Sequence, residues 1–195
     1  TVVDAGSAAG FAVGDRGMGQ GPGGAFAELA LADPRRLVRV PDAMPDDVAA
    51  GFFVRYGTAY CALVERAALR AGQRVLVLGA AGGTGLAAVD VACAAGAHVI
   101  GIARGERKLG VARAAGAHAA LDSSRDDLRD AIMAETGGAG VDVVFDTTGG
   151  DLTLVALRCL AFQGRLMVIG FTGGKPALVP ANHVLVKNVD VTGFY

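Results

Sequence analysis

From Arg74 onward the chain alternates unbroken apolar runs with longer stretches in which polar positions recur at helical spacing. RVLVLG (74–79), HVIGIA (98–103), HAALD (118–122), VDVVFDTTG (141–149) and RLMVIGF (165–171) read as strands, and VDVTGF (189–194) closes as a further one. Apolar character of this kind, without polar alternation, marks strands covered on both faces. Between them GLAAVDVACAAG (85–96), ERKLGVARAAG (106–116), SRDDLRDAIMAETG (124–137) and DLTLVALRCLAFQG (151–164) predict helices, the first ending on Gly96. Strands alternating with helices build parallel βαβ units.

The first forty residues have a different texture. TVVDAG, FAELALA and RLVRV are short β-like runs separated by the glycine-rich spacer GDRGMGQGPGG. PDAMPDD (41–47) then punctuates the chain, and VAAGFFVRYGTAYCALVERAAL (48–69) reads as helical with a break expected near Gly57. The fold class is therefore α/β: a doubly wound parallel sheet over 58–195, preceded by part of a β-rich domain over 1–57.

Composition narrows the function. With 195 residues, 52% of them hydrophobic, and 30 glycines, the chain holds one large or two small domains with many tight turns. A net charge of −1, scattered arginines and no interleaved aromatic residues give no footing for nucleic acid or an anionic membrane. The apolar stretch 75–103 is interrupted by glycines, Asp90 and His98 and changes period midway, so it does not read as a spanning helix. Cys61, Cys93 and Cys159 lack metal or disulfide spacing and read as reduced thiols of a cytoplasmic protein. The chain opens on Thr1 and closes straight after an apolar alternating run, so both ends are expected to be cut from something longer.

The chemistry concentrates in GAAGGTG (79–85), which follows a strand and opens a helix inside a βαβ unit. It aligns with the dinucleotide fingerprint as Ala80-x-Gly82-x-x-Gly85. Gly82 lets the main chain approach a pyrophosphate, Gly85 lets the helix pack on the strand, and N–H groups near Gly83 and Thr84 face the anion. About 20 residues on, an NAD-binding chain carries a carboxylate for the ribose hydroxyls. Here that slot is Ala103, followed by Arg104 and then Glu106, Arg107 and Lys108. Without the carboxylate a 2′-phosphate is not repelled, and Arg104 with Lys108 can supply charge-assisted contacts to it. The competing reading makes these cations, with Glu106, a solvated helix start. The expected cofactor is NADPH.

These residues, with GFAVGDR (10–16), GGAFAEL (23–29), YGTAY (56–60), AAGGTG (80–85), ERKLGVARAAGA (106–117), GVDVVFDTTGG (140–150) and GRLMVIGF (164–171) in order, resemble the zinc-independent medium-chain dehydrogenase/reductase family. The likeness is to its NADPH:quinone oxidoreductases of the zeta-crystallin type. The resemblance implies a Rossmann domain preceded by a partial GroES-like substrate domain. It also implies a cofactor site in which Ala81, Gly82, Gly83 and Thr84 line the pyrophosphate while Arg104 and Lys108 reach the 2′-phosphate. Thr58 would lie near the nicotinamide carboxamide, and Gly170 with Phe171 would border its ring. Ser123 stands where a Tyr or His often lies near the adenosine, Gly17 where an apolar residue follows GDR, and Asp90 where an uncharged polar residue is usual.

Zinc-dependent relatives carry a four-cysteine lobe after GDR and a catalytic Cys four residues before the Thr of YGTAY. Here the first interval is GMGQGPGGAF and the second position is Val54, so no metal is expected. The implied reaction is hydride transfer from NADPH to a quinone or enone, small molecules that accept hydride at carbon and place charge on a distant oxygen. Tyr56 and Tyr60 are the nearby phenols, but no catalytic residue is assigned. The family's dimers commonly join along the strand at VDVTGFY, so a homodimer is expected. Two other functions stay open: an enoyl-thioester reductase, which a long basic groove would favour and which the sequence does not display, and an NADPH-binding crystallin-like protein that turns over poorly.

Overall fold

The computed structural model describes residues 1–6, 10–21, 23–24 and 26–195. Pro22 of the glycine-rich spacer and Ala25 of GGAFAEL lie outside them. The described chain forms two compact units, Thr1–Gly57 and Thr58–Tyr195.

In the first unit β1 (Gly17–Gly19) pairs antiparallel with β2 (Leu37–Arg39). A single 3-10 turn, Pro34–Arg36, leads into β2, and its first N–H groups are capped by Asp33, whose carboxylate accepts from Arg35 N at 3.0 Å. The expected strands TVVDAG and FAELALA do not form. Val2 exchanges backbone hydrogen bonds with Asp15 and Gly14 in a loop, and Phe26, Leu29 and Leu31 stand exposed. A strand needs a partner for its N–H and C=O groups, and residues 26–32 have none among the described residues. Helix α1 (Asp46–Tyr60) runs through Gly57 without the expected break and continues in wider π-type turns over Cys61–Arg66. One glycine costs a helix only about 1 kcal/mol.

The second unit is a six-stranded, wholly parallel sheet. Its strands are β3 (Arg74–Leu78), β4 (His98–Ala103), β5 (Ala119–Asp122), β6 (Val141–Asp146), β7 (Leu160–Val168) and β8 (Asp190–Gly193). They lie in the order β5-β4-β3-β6-β7-β8. This is the doubly wound arrangement that the alternation predicts, with the strand order reversing between β3 and β6. The apolar runs are buried as their composition demands: Val75 to Leu78, Ile100, Ile102, Val143, Val144 and Phe145 have essentially no exposure. Helix α2 (Gly83–Ala94) packs through small residues, with Ala87, Ala88 and Ala92 buried, and Gly85 comes close enough to touch the β3 turn.

Helices α3 (Glu106–Ala114), α4 (Leu128–Glu135) and α5 (Gly150–Cys159) connect the remaining strands, and α6 (Ala181–Lys187), which the pattern did not reveal, precedes β8. The helix expected over 151–164 stops at Cys159, where Leu160 turns extended and pairs with Val141. Lys187 Nζ holds the freed carbonyls of Arg158 (2.8 Å) and Leu160 (2.7 Å). Gln163 at φ +59° then forms an irregularity that restores register at Arg165 opposite Val143. The strand expected to reach Gly149 ends at Asp146, because its carboxylate captures the N–H groups of Thr148 (2.7 Å) and Gly149 (2.9 Å).

Arg74 and Asp142 tie β3 to β6. Asp142 accepts from Arg74 N at 2.7 Å and from the guanidinium at 3.0 and 3.1 Å. Partial burial pushes its carboxyl up, but these bonds outweigh that and hold it below the usual value. A depressed folded value means this stabilisation is present above about pH 4 and lost as pH falls through the folded value. Acid unfolding of Asp142→Asn is therefore expected to show less loss of stability between neutral pH and pH 3 than the wild type. Parallel acid curves for the two proteins would contradict this.

Candidate functional site

The sheet's strand order reverses between β3 and β6, and at their carboxyl ends lies a cavity of about 660 Å³. The β3–α2 turn forms its floor. Gly79, at φ +75°, lets the chain leave the strand, and the N–H groups of Gly79 and Ala80 both reach Ile102 O at 3.0 Å. Gly82 is the N-cap of α2 and offers no side chain to the helix's first N–H groups. Those groups and the positive end of the helix dipole therefore remain free for an anion. A Cβ on Gly85 would sit 2.8 Å from Gly79 C and 3.0 Å from Ala80 Cα, and closer still to Gly79 O. Only glycine permits this approach.

Ala81, Gly82, Gly83 and Thr84 line the cavity, as do Arg104 and Lys108 at its far end. Ala103, buried, closes β4 beside them, so no carboxylate stands in the ribose slot. Glu106 does not neutralise these cations; its carboxylate pairs with Arg113 at 2.6 Å. Neither Arg104 nor Lys108 forms an ion pair among the described residues. Ser123 lines the same end.

The other end is built by residues that were not assigned to the cofactor site, two of them within GVDVVFDTTGG. Thr147, Thr148 and Leu152 follow β6 and Thr172 and Gly173 follow β7, all lining the cavity. Thr147 Oγ1 donates to Leu78 O at 2.9 Å, stitching β6 to β3 at the point of divergence. Thr172 donates from N (3.0 Å) and from Oγ1 (2.9 Å) to Thr147 O, and Gly173 N donates to Thr148 O at 2.8 Å. The two loops thus form one rigid wall. Its signal was available: DTTGG combines short hydroxyl side chains and glycines at the end of a central strand.

Three expected cofactor residues do not join the lining. Gly170 and Phe171 sit one step short of Thr172; Gly170 N donates to Asp146 O at 3.2 Å, and the Phe171 ring packs against Gly149. Thr58 is half-buried within α1 and is not part of the cavity wall. Of the candidate phenols, Tyr56 stacks on Phe52 with ring centroids 4.5 Å apart, and Tyr60 is about half exposed.

A second, smaller cavity of about 350 Å³ gathers Arg129 of α4, Arg158 of α5, and His183 and Lys187 of α6. This convergence of basic side chains was not visible in the sequence, where they lie far apart.

The family model described as zinc-binding dehydrogenase matches residues 83–195. Quinone oxidoreductase-like protein 2 of Bos taurus is 43% identical over 183 residues, covering 93% of this chain and 52% of the relative. The chain belongs to the zinc-independent medium-chain dehydrogenase/reductase family. Among solved structures, the quinone oxidoreductase from Thermus thermophilus, determined also as its complex with NADPH, superposes with a TM-score of 0.85 at 33% identity, covering 95% of this chain and 58% of that one. The CurK enoyl reductase superposes with a TM-score of 0.74 at 31% identity, over 84% of this chain and 48% of that one. The chain spans about half the length of each of these three relatives.

The zinc in the family model's description finds no fitting residues here. Among the described residues no three His, Cys, Asp or Glu side chains converge. His118 turns Nδ1 to Val99 N at 3.1 Å, with the His98 ring 4.5 Å away. Burial pushes the Cys93 thiol up and Cys159 to about 11, the opposite of what a thiolate ligand needs. The dinucleotide fits better: a cradle open at Gly82, a free helix N-terminus and the cations of Arg104 and Lys108 stand along one cavity.

Proposed function

We propose that this family member is an NADPH-dependent oxidoreductase that delivers hydride to a quinone or another conjugated carbonyl compound without zinc. One observation carries the reading: the glycine-turn cavity ends on Ala103 with Arg104 and Lys108 beside it, where a carboxylate would select NAD. Bound NADPH supplies the hydride. The chain's own part is to bind and orient. The α2 N-terminus and the Gly82–Thr84 backbone hold the pyrophosphate, Arg104 and Lys108 hold the 2′-phosphate, and the threonine wall fixes the opposite end. Thr58, Gly170 and Phe171 belong to the nicotinamide side in this reading, and a conjugated acceptor needs only a dry, oriented approach there. The Thermus thermophilus structure with NADPH and the quinone oxidoreductase-like relatives support it.

A homodimer joined along the β8 edge accompanies this reading. β8 is the last strand of the sheet, with Val191 and Tyr195 exposed, and an open strand edge invites pairing. Sedimentation of the full protein is expected to give a dimer, and a stable monomer would refute it. No helix among the described residues is long and apolar enough to cross a membrane, and the three free cysteines accord with the cytoplasm.

A second reading, reduction of enoyl thioesters, is supported by the likeness to the CurK enoyl reductase. Steady-state assays with ortho-quinones and with enoyl-coenzyme A, each with NADPH, separate the readings. If quinones are the acceptors, they are turned over faster than enoyl-coenzyme A. Faster turnover of enoyl-coenzyme A would install the thioester reading. Tight NADPH binding with no turnover of either acceptor would mark a crystallin-like binding protein.

A further inference from the structure

Asp122 closes β5 directly opposite Ala103 in the parallel ladder, one strand over from the slot where an NAD-binding carboxylate stands. Its side chain makes contacts within the protein and does not line the cavity. Oδ2 accepts from Gly105 N at 2.8 Å, and Oδ1 accepts from Ser124 N at 2.8 Å and from Ser124 Oγ at 2.6 Å. Gly105 is the N-cap of α3, at φ +80° and ψ 150°, a conformation essentially confined to glycine. It sits between Arg104 and the helix that carries Lys108. The next residue of β5's exit, Ser123, donates its N–H to Ala103 O at 2.8 Å, so the β4–α3 and β5–α4 loops are clamped together at both rungs.

We propose that Asp122 is a positioning residue for cofactor selection: by fixing Gly105 it holds Arg104 and Lys108 toward the 2′-phosphate site. The inference rests on the NADPH reading above. The carboxyl is ionised at neutral pH: the Ser124 hydroxyl foremost, then the Ser124 and Gly105 N–H groups, and Arg104 nearby, hold it down to about 2. The backbone conformation at Gly105 is one that the unclamped glycine would share with many others. The carboxylate therefore removes loop freedom that the 2′-phosphate would otherwise have to remove on binding.

The sign of the effect separates positioning from mere proximity. A carboxylate near a phosphate repels it, so if Asp122 acted only as a charge, its removal would tighten NADPH. If it positions the cations, its removal weakens NADPH and leaves NADH alone. Dissociation constants of the full protein for NADPH and NADH, by cofactor fluorescence, are compared for wild type, Asp122→Ala, Asp122→Asn and Arg104→Ala. Asp122→Ala is expected to weaken NADPH about tenfold and NADH less than about twofold. Asp122→Asn keeps one acceptor for the loop and is expected to fall between; it also gives the readout if the alanine variant fails to fold. The proposal is overturned if Arg104→Ala lowers the NADPH-to-NADH preference while both Asp122 variants keep it at the wild-type value or raise it. If Arg104→Ala leaves the preference untouched, the NADPH reading itself fails and takes this one with it.

Discussion

Replacing Arg104 and Lys108 together by alanine is expected to weaken NADPH binding about 100-fold while NADH binding changes by less than about twofold. A charge-assisted hydrogen bond to phosphate contributes roughly 1.5–3 kcal/mol. Both cations line the cavity but are exposed to solvent, which places each at the lower end of that range. Together they supply about 3 kcal/mol, and each 1.4 kcal/mol is tenfold in affinity. NADH lacks the 2′-phosphate and has nothing for them to hold. Screening gives a second signature: the NADPH preference of the wild type shrinks with added salt, and that of the double variant does not. Side-by-side fluorescence titrations at low and physiological ionic strength read both. Equal weakening of the two cofactors would return Arg104 and Lys108 to the solvated surface.

Gly85→Ala is expected to produce a large loss of fold stability. The new Cβ would press on the Gly79 and Ala80 backbone, at 2.8 Å from Gly79 C and 3.0 Å from Ala80 Cα. Backbone cannot swing aside as a side-chain tip can. Gly79 is further fixed by its bond to Ile102 O at 3.0 Å and by its own positive φ. Either α2 lifts from β3 or the turn opens, and overpacking of this kind costs about 3 kcal/mol. For a protein of this size that lowers the melting temperature by roughly 6–12 °C. Cofactor affinity should fall with it, because the displaced turn is the phosphate cradle. Gly110→Ala is the internal control: it lies exposed in α3 with no atom within 4 Å of its Cβ position, and alanine there should be neutral or slightly stabilising. Equal melting temperatures for Gly85→Ala and wild type would show that the turn is not rigid.

The parallel sheet was legible because its strands are buried on both faces and so appear as unbroken apolar runs; HVIGIA matches β4 residue for residue. The glycine turn was legible because Gly82, where the phosphates approach, and Gly85, where the helix packs on the strand, fall at the fingerprint's spacing after a strand. What could not be read depends on partners distant in sequence. Phe26, Leu29 and Leu31 belong to a short β-like run but find no ladder to join among the described residues. Leu160 reads as helix by its neighbours and becomes strand because Val141 offers it a partner and the core a pocket. In the site, Ala81 to Thr84, Arg104 and Lys108 follow from a local motif and reach the cavity. Thr147, Thr148, Thr172 and Gly173 reach it only because β6 and β7 end side by side. Asp122 was hidden for the opposite reason: its carboxylate serves backbone two loops away, and nothing local marks an acid that faces inward on its own chain.

β3 lies at the centre of the sheet, yet its two neighbours are synthesised at different times. β4 follows after a single helix, whereas β6 emerges only once β4, α3, β5 and α4 have been made. Through that interval the strand that will pair Leu76 with Val144 presents an open edge, apolar from Val75 to Leu78. Pairings so far apart in sequence form slowly and leave such edges available to other chains. The half-sheet β5-β4-β3 already carries the phosphate turn and the Arg104 loop at this stage. The central ladder is therefore closed last in this half of the sheet, and the interval before β6 emerges is when the edge of β3 is most open to pairing with other chains.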